Sequence, residues 1–153
     1  MNDTAICLNG NELRLPSATG PNRYPEPSWL ASWRAQDPVP VSAAEVRRSL
    51  TAWRNALTPA SGEEVMAALD SAIDLFGTPK GWARQAPMYR VLLGDLPADL
   101  LAVGMFRALR DCHWFPKPGE IRSPISDELA RRQHVVRRLR AALTFAERQE
   151  GAR

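Results

Sequence analysis

Residues 42–77 read SAAEVRRSLTAWRNALTPASGEEVMAALDSAIDLFG, and this stretch decides the fold. It holds the pattern Ser-x-x-Glu twice. In Ser42-Ala43-Ala44-Glu45 the serine hydroxyl can accept the amide three residues on, while the glutamate reaches back to the serine amide. Two of the donors that a helix start leaves unpaired are thereby satisfied. Val46, Leu50, Trp53 and Leu57 then follow a 3.6-residue period until Thr58-Pro59 stops it. Ser61-Gly62-Glu63-Glu64 opens a second helix in the same way, with Val65, Leu69, Ala72, Ile73 and Phe76 on one face and Gly77 placed as the residue after its end.

Downstream, residues 81–84 read as a connection containing Trp82, and a third helix is expected from near Pro87, carrying Tyr89, Leu92 and Leu93 up to Gly94. Pro97 suits the first turn of a fourth helix, which turns Leu100, Leu101, Gly104, Met105, Ala108 and Leu109 toward a core and ends near Asp111. Residues 114–119, WFPKPG, form a turn whose two aromatics are expected to plug one end of the bundle. Ser123-Pro124, a cap with proline at N1, then starts a long helix reaching about Gln149. Its apolar positions Ile125, Leu129, Val136, Leu139, Leu143 and Ala146 keep a four-three spacing that only Arg132 breaks.

Upstream, the first 41 residues hold six of the thirteen prolines and read as an extended arm. Within the arm, Trp29 and Trp33 stand at i and i+4, so one helical turn would present both indoles on one side. Two readings stay open: a turn that docks the arm on the protein's own core, or a short partner-binding segment. No segment has the alternating, β-branched texture of strands. The expected fold is all-α: a small bundle of four to five helices over residues 42–122, an N-terminal arm over 1–41, and a long basic helix over 123–153.

A chain of 153 residues, 44% apolar and 24% charged, can bury one core and is not of a disordered composition. No apolar run is long enough to span a bilayer, and the N-terminus lacks the basic and apolar regions of a secretory signal, so a cytoplasmic protein without membrane contact is expected. Cys7 and Cys112 belong to no metal or redox pattern and read as free thiols, Cys112 as a small core residue.

Catalytic signatures are missing. There is no phosphate loop, no dinucleotide fingerprint, no zinc-protease helix and no nucleophile elbow. In Gly77-Thr78-Pro79-Lys80-Gly81 the order is wrong for a phosphate loop, and Pro79 removes a donor such a loop needs. His113 and His134 have no ligand at a metal-binding spacing. Asp70 and Asp74 share a helix face, which a solvated surface explains at least as well as acid–base chemistry. No enzyme activity and no cofactor are expected.

One charge feature stands above background. Arg131, Arg132, Arg137, Arg138 and Arg140 fall within ten residues that contain no acid, and Arg131, His134 and Arg138 share a face. Arginine stays charged and donates in a planar fork that matches phosphate. One reading is a helix facing DNA, RNA or an acidic partner. The other is a solvated amphipathic helix, its neighbours Asp127, Glu128 and Glu147 pairing elsewhere. Whether this helix also pairs with a second copy to form a homodimer is left open.

Tyr89, the run Leu92-Leu93-Gly94-Asp95-Leu96-Pro97-Ala98-Asp99-Leu100-Leu101 and the run Trp114-Phe115-Pro116-Lys117-Pro118-Gly119-Glu120-Ile121-Arg122 together resemble small proteins of phage and prophage replication modules. Among these is the family of loaders and inhibitors of the phage replicative helicase. The resemblance covers about residues 42–122. It implies a small helical domain without an ATPase of its own that acts by contacting a hexameric, DnaB-type replicative helicase, and the missing phosphate loop agrees with that. Such families tend to place the helicase contact in a flexible or C-terminal segment. Here the arm around Trp29 and Trp33 and the last helix are the candidates, since tryptophan and arginine most often dominate interface energy.

Overall fold

Ser42 and Ser61 both cap their helices, but the reciprocal bond from the glutamate expected at each is present only at Ser61. Ser42 Oγ accepts from Glu45 N at 3.2 Å. Ser61 Oγ accepts from Glu64 N at 3.1 Å while Glu64 Oε2 accepts from Ser61 N at 2.7 Å, a complete reciprocal box. They open helices α2 (Ala43–Asn55) and α3 (Gly62–Phe76) of a computed structural model that describes residues 24–35 and 37–152 and the backbone of two short strands. The remaining described helices are α1 (Ser28–Ser32), α4 (Trp82–Leu93), α5 (Ala98–Asp111), α6 (Pro118–Arg122) and α7 (Ser126–Gly151), with a 3-10 turn at Ser123–Ile125. The fold is all-α helical, as expected. The one departure is an antiparallel pair within the arm, β1 (Ile6–Leu8) and β2 (Asn11–Leu13), in the register Ile6↔Leu13 and Leu8↔Asn11. The Cys7 side chain and the rest of the first 23 residues lie outside the described residues.

The chain divides into two compact units, and the division falls elsewhere than at Ser42 and Arg122. Unit 1 comprises Met1–Pro21 and Thr58–Asp127; unit 2 comprises Asn22–Leu57 and Glu128–Arg153. Helix α2 therefore does not join α3, α4 and α5 in one bundle. Its apolar face (Val46, Leu50, Trp53) forms a core with Leu30, Trp33 and Val39 of the arm and with Val135, Val136, Leu139, Ala142 and Ala146 of α7. The reason is in the arm: Leu30, Trp33 and Val39 supply the apolar surface that two helices alone would leave open to water, and each buried large side chain contributes about 2 kcal/mol. The arm from Tyr24 to Val41 is thus built into a core.

In unit 1, α3 buries Val65, Leu69 and Ala72, and α5 buries Leu100, Leu101, Gly104, Met105 and Ala108. Gly104 marks the closest approach: a Cβ there would collide with the carbonyl oxygen of Ile121 in α6. Helix α4 begins at Trp82, earlier than the expected start near Pro87, so Pro87 lies inside it. A proline there removes one helical hydrogen bond. The loss falls on the exposed side of the helix, where both Ala83 and Pro87 face solvent. Likewise Ser123 does not open the last helix. Residues 118–122 are already helical, Ser123 continues them at φ −54° and ψ −46°, and Pro124 tightens one turn to 3-10 geometry before α7.

Candidate functional site

The five arginines of residues 131–140 part company in the structure. Arg132, at the one position where the apolar spacing fails, is 3% exposed and points into unit 2. Its Nε donates to Glu128 Oε1 at 2.9 Å, its Nη1 donates to the carbonyl of Ala56 at 2.8 Å, and its guanidinium lies 4.8 Å from the Tyr24 ring centroid. Ala56 caps the C-terminus of α2, where orphan carbonyls and the negative end of the helix dipole favour a cation. Arg131 is half-buried, bidentate to Glu128 at 2.7 and 2.8 Å, with its guanidinium 5.1 Å from the Trp53 ring. Hydrogen bonding from Arg131 is the main reason the Glu128 carboxyl sits below its ordinary value of 4.5. Arg138 reaches across to the arm. It donates to the carbonyls of Leu30 and Trp33 and to Glu26 Oε1 at 3.3 Å.

Three of the five candidates therefore hold unit 2 together. Arg137 and Arg140 are exposed, as is His134, so the expected shared face of Arg131, His134 and Arg138 is not a uniform phosphate-facing surface. Glu128 pairs with Arg131 and Arg132, and Glu26 with Arg138.

Trp33 is buried in the core of unit 2, its Nε1 donating to the carbonyl of Asp37 at 3.2 Å and its ring edge-on to Phe145 at 5.9 Å. Trp29 is half-buried against the same core. Of the two readings of this pair, docking on the protein's own core is the one the packing supports.

Unit 1 places its aromatics unevenly. Trp82, Tyr89 and Phe115 pack edge-to-face with centroids 5.1 to 5.8 Å apart, and Tyr89 Oη donates to the carbonyl of Pro116 at 3.1 Å. Burial pushes the Tyr89 hydroxyl up from its ordinary value, helped by Glu120. Phe115 thus plugs the unit as expected, while Trp114 is exposed. Arg122 is bidentate to Asp95 at 2.5 and 2.9 Å and also donates to the carbonyl of Leu92, and its hydrogen bonds hold the Asp95 carboxyl low.

The outer face of α4 was not legible in the sequence. Met88, Val91 and Leu92 are 59%, 75% and 46% exposed. Their i, i+3, i+4 spacing makes them one stripe. Leu92, one of the apolar residues read on this helix, lies outside the core. Helix α4 carries two apolar stripes, and the one running Trp82, Ala86, Tyr89, Leu93 is the one turned inward. A helix apolar on two sides is the signal that would have found the second surface.

Among the described residues no three His, Cys, Asp or Glu side chains cluster to hold a metal ion, and Asp70 and Asp74 are both exposed. Cys112 is a free, half-buried thiol at the end of α5, pushed up chiefly by burial, which disfavours a reactive thiolate. Among the described residues no helix is long and apolar enough to cross a membrane. No protein family, curated protein or solved structure matches the chain. The surfaces must speak for themselves.

Proposed function

We propose that this chain is a non-catalytic accessory protein that docks on a protein partner through the outer face of α4, and that the partner is a replicative helicase. The observation that carries the reading is the exposed stripe of Met88, Val91 and Leu92. Large apolar side chains grouped on one exposed helix face lose water contact favourably only when something covers them. An amphipathic helix laid into an apolar groove is a recurring recognition mode with this i, i+3, i+4 signature. Arg84, exposed and one turn before Met88, stands at the end of the stripe, so the complementary groove would carry an acid at its rim. The resemblance to loaders and inhibitors of the replicative helicase supplies the partner, and the residues that carry it, from Tyr89 to Arg122, lie in the same unit as the stripe.

A partner protein without an ATPase acts on a helicase ring by differential binding: it shifts the ring only by holding one of its states better than another. The test is size-exclusion chromatography of the purified protein with the replicative helicase of its host or phage, with and without nucleotide. A complex at micromolar concentration is expected, and Val91→Asp should abolish it while leaving far-UV circular dichroism unchanged, since Val91 is 75% exposed. No complex, or an unaltered one with Val91→Asp, overturns the reading.

A further inference from the structure

Charge is segregated between the two units. The segments of unit 2, Asn22–Leu57 and Glu128–Arg153, contain twelve arginines, no lysine and six carboxylates, whereas unit 1 holds eight basic residues against eleven acidic ones. With Arg131, Arg132 and Arg138 taken up internally, the question is where the other arginines lie.

Helices α2 and α7 run antiparallel. Ala43 N, at the start of α2, donates to Glu150 at the end of α7, and Ala56, at the end of α2, accepts from Arg132 near the start of α7. The pair Arg47–Glu147, at 2.6 Å, marks one side of the seam between them. Seven residues along a helix return to nearly the same side. Seven on from Arg47 is Arg54, and seven back from Glu147 is Arg140, so both fall on the marked side and approach each other along the seam. Arg137 stands one turn from Arg140, and Arg48 adjoins Arg47 on the outer face of α2. That face is a shallow, open depression lined by Arg47, Arg48, Thr51 and Asn55, with the small Ala44 and Ala52 between them. All five arginines are exposed, and the surface pair of Arg47 with Glu147 is of the kind worth little in water.

We propose that this face of unit 2, built from Arg47, Arg48 and Arg54 of α2 with Arg137 and Arg140 of α7, binds the phosphate backbone of nucleic acid. The inference is independent of the protein-docking reading, which concerns unit 1. A nucleic acid fits better than an acidic protein for a reason of surface composition. The large exposed apolar side chains of the described residues, Leu75, Met88, Val91, Leu92 and Trp114, all lie in unit 1. Protein interfaces draw their energy from buried aromatic and apolar anchors, whereas backbone binding draws it from charge and released counterions. Unit 2 offers arginine forks, a hydroxyl and an amide, and none of the apolar anchors.

The experiment is fluorescence anisotropy with labelled duplex DNA, single-stranded DNA and single-stranded RNA of unrelated sequences, titrated with the full chain at several salt concentrations. The three probes separate DNA from RNA as the source of the phosphates. Binding that weakens steeply with salt and discriminates little between sequences is expected. The variant Arg54→Gln, Arg137→Gln, Arg140→Gln should lower the slope of log K against log salt by roughly 3 on duplex DNA, and tryptophan fluorescence should show it folded. A control that removes equal charge from unit 1, Lys80→Gln, Arg110→Gln, Lys117→Gln, should keep the slope. Four results would overturn the proposal: no binding to any probe in dilute salt, an unchanged slope in the unit 2 variant, an equal loss in the control, or, with labelled polyglutamate added as an acidic-polypeptide probe, binding confined to it.

Discussion

Replacing Arg132 with alanine separates a structural arginine from a functional one. In the folded chain the guanidinium bonds Glu128 one turn away and ties α7 to two stretches distant in sequence, the Ala56 carbonyl at the end of α2 and the Tyr24 ring in the arm. Truncation leaves the Ala56 carbonyl without this donor in a buried setting, at about 1–3 kcal/mol. Losing the cation over the Tyr24 ring adds roughly 0.5–1 kcal/mol. Glu128 keeps its bidentate contact with Arg131, so no carboxylate is stranded, and the larger cost of orphaning a buried charge does not arise. The expected loss is about 2–4 kcal/mol. It should be read from urea unfolding of unit 2 alone, by tryptophan fluorescence in a background carrying Trp82→Phe and Trp114→Phe, which leaves Trp29, Trp33 and Trp53 as reporters. The midpoint should fall with the slope on urea unchanged. Arg132→Lys, which keeps the charge but not the fork, should recover only part of the loss. A shift below about 0.5 kcal/mol for Arg132→Ala, the range of ordinary surface changes, would refute the argument that this side chain is a building element of the core.

Further consequences can be measured in the same way. Because Glu128 titrates below its ordinary 4.5 in the folded chain, its contribution is complete above that value and is lost as pH falls through the folded pKa; unit 2 should destabilise on acidification below about 4.5, and Glu128→Gln should blunt that dependence in urea melts. Gly104→Ala should cost at least about 1–3 kcal/mol by circular-dichroism melting, because the new methyl meets backbone at Ile121 and not a side chain that can move. Ser61→Ala should cost about 1 kcal/mol through loss of the reciprocal cap on α3. Leu69→Ala, at a fully buried position of α3, should cost about 2–5 kcal/mol in urea unfolding.

The helices that could be read from the chain were those whose ends are written in local chemistry. Ser42 and Ser61 announce α2 and α3 within four residues, and the apolar faces of α2, α3 and α5 are buried largely as their periodicity requires. What the sequence concealed depends on distant partners. Pro87 looks like a helix start and instead lies inside α4, on its exposed side. Arg132 looks like a fault in an apolar spacing and is instead a core residue, a fact that needs the position of Ala56 to be seen. The arginine run looked like one surface because its members are adjacent in sequence, yet Arg131 and Arg138 turn toward Glu128 and the arm while Arg137 and Arg140 turn outward. The exposed face assigned to nucleic acid draws on α2 as well as α7, and no local pattern joins residues 47–54 to residues 137–140.

Unit 2 is assembled from segments that leave the ribosome at different times. Helix α2 and the arm emerge first, the whole of Thr58–Asp127 follows, and only then does the stretch from Glu128 arrive to cover Leu30, Trp33, Val46, Leu50 and Trp53. Helix α3 through α6, by contrast, are contiguous in the chain and can close on one another as they are made. Synthesis thus imposes an interval in which the arm and the apolar side of α2 have only each other to cover them. Loops closed across so many residues also form slowly, because the entropy of closure precedes any contact that repays it. The nascent chain is therefore most exposed to premature association, and to holding chaperones, in the span between completion of α2 and completion of α7.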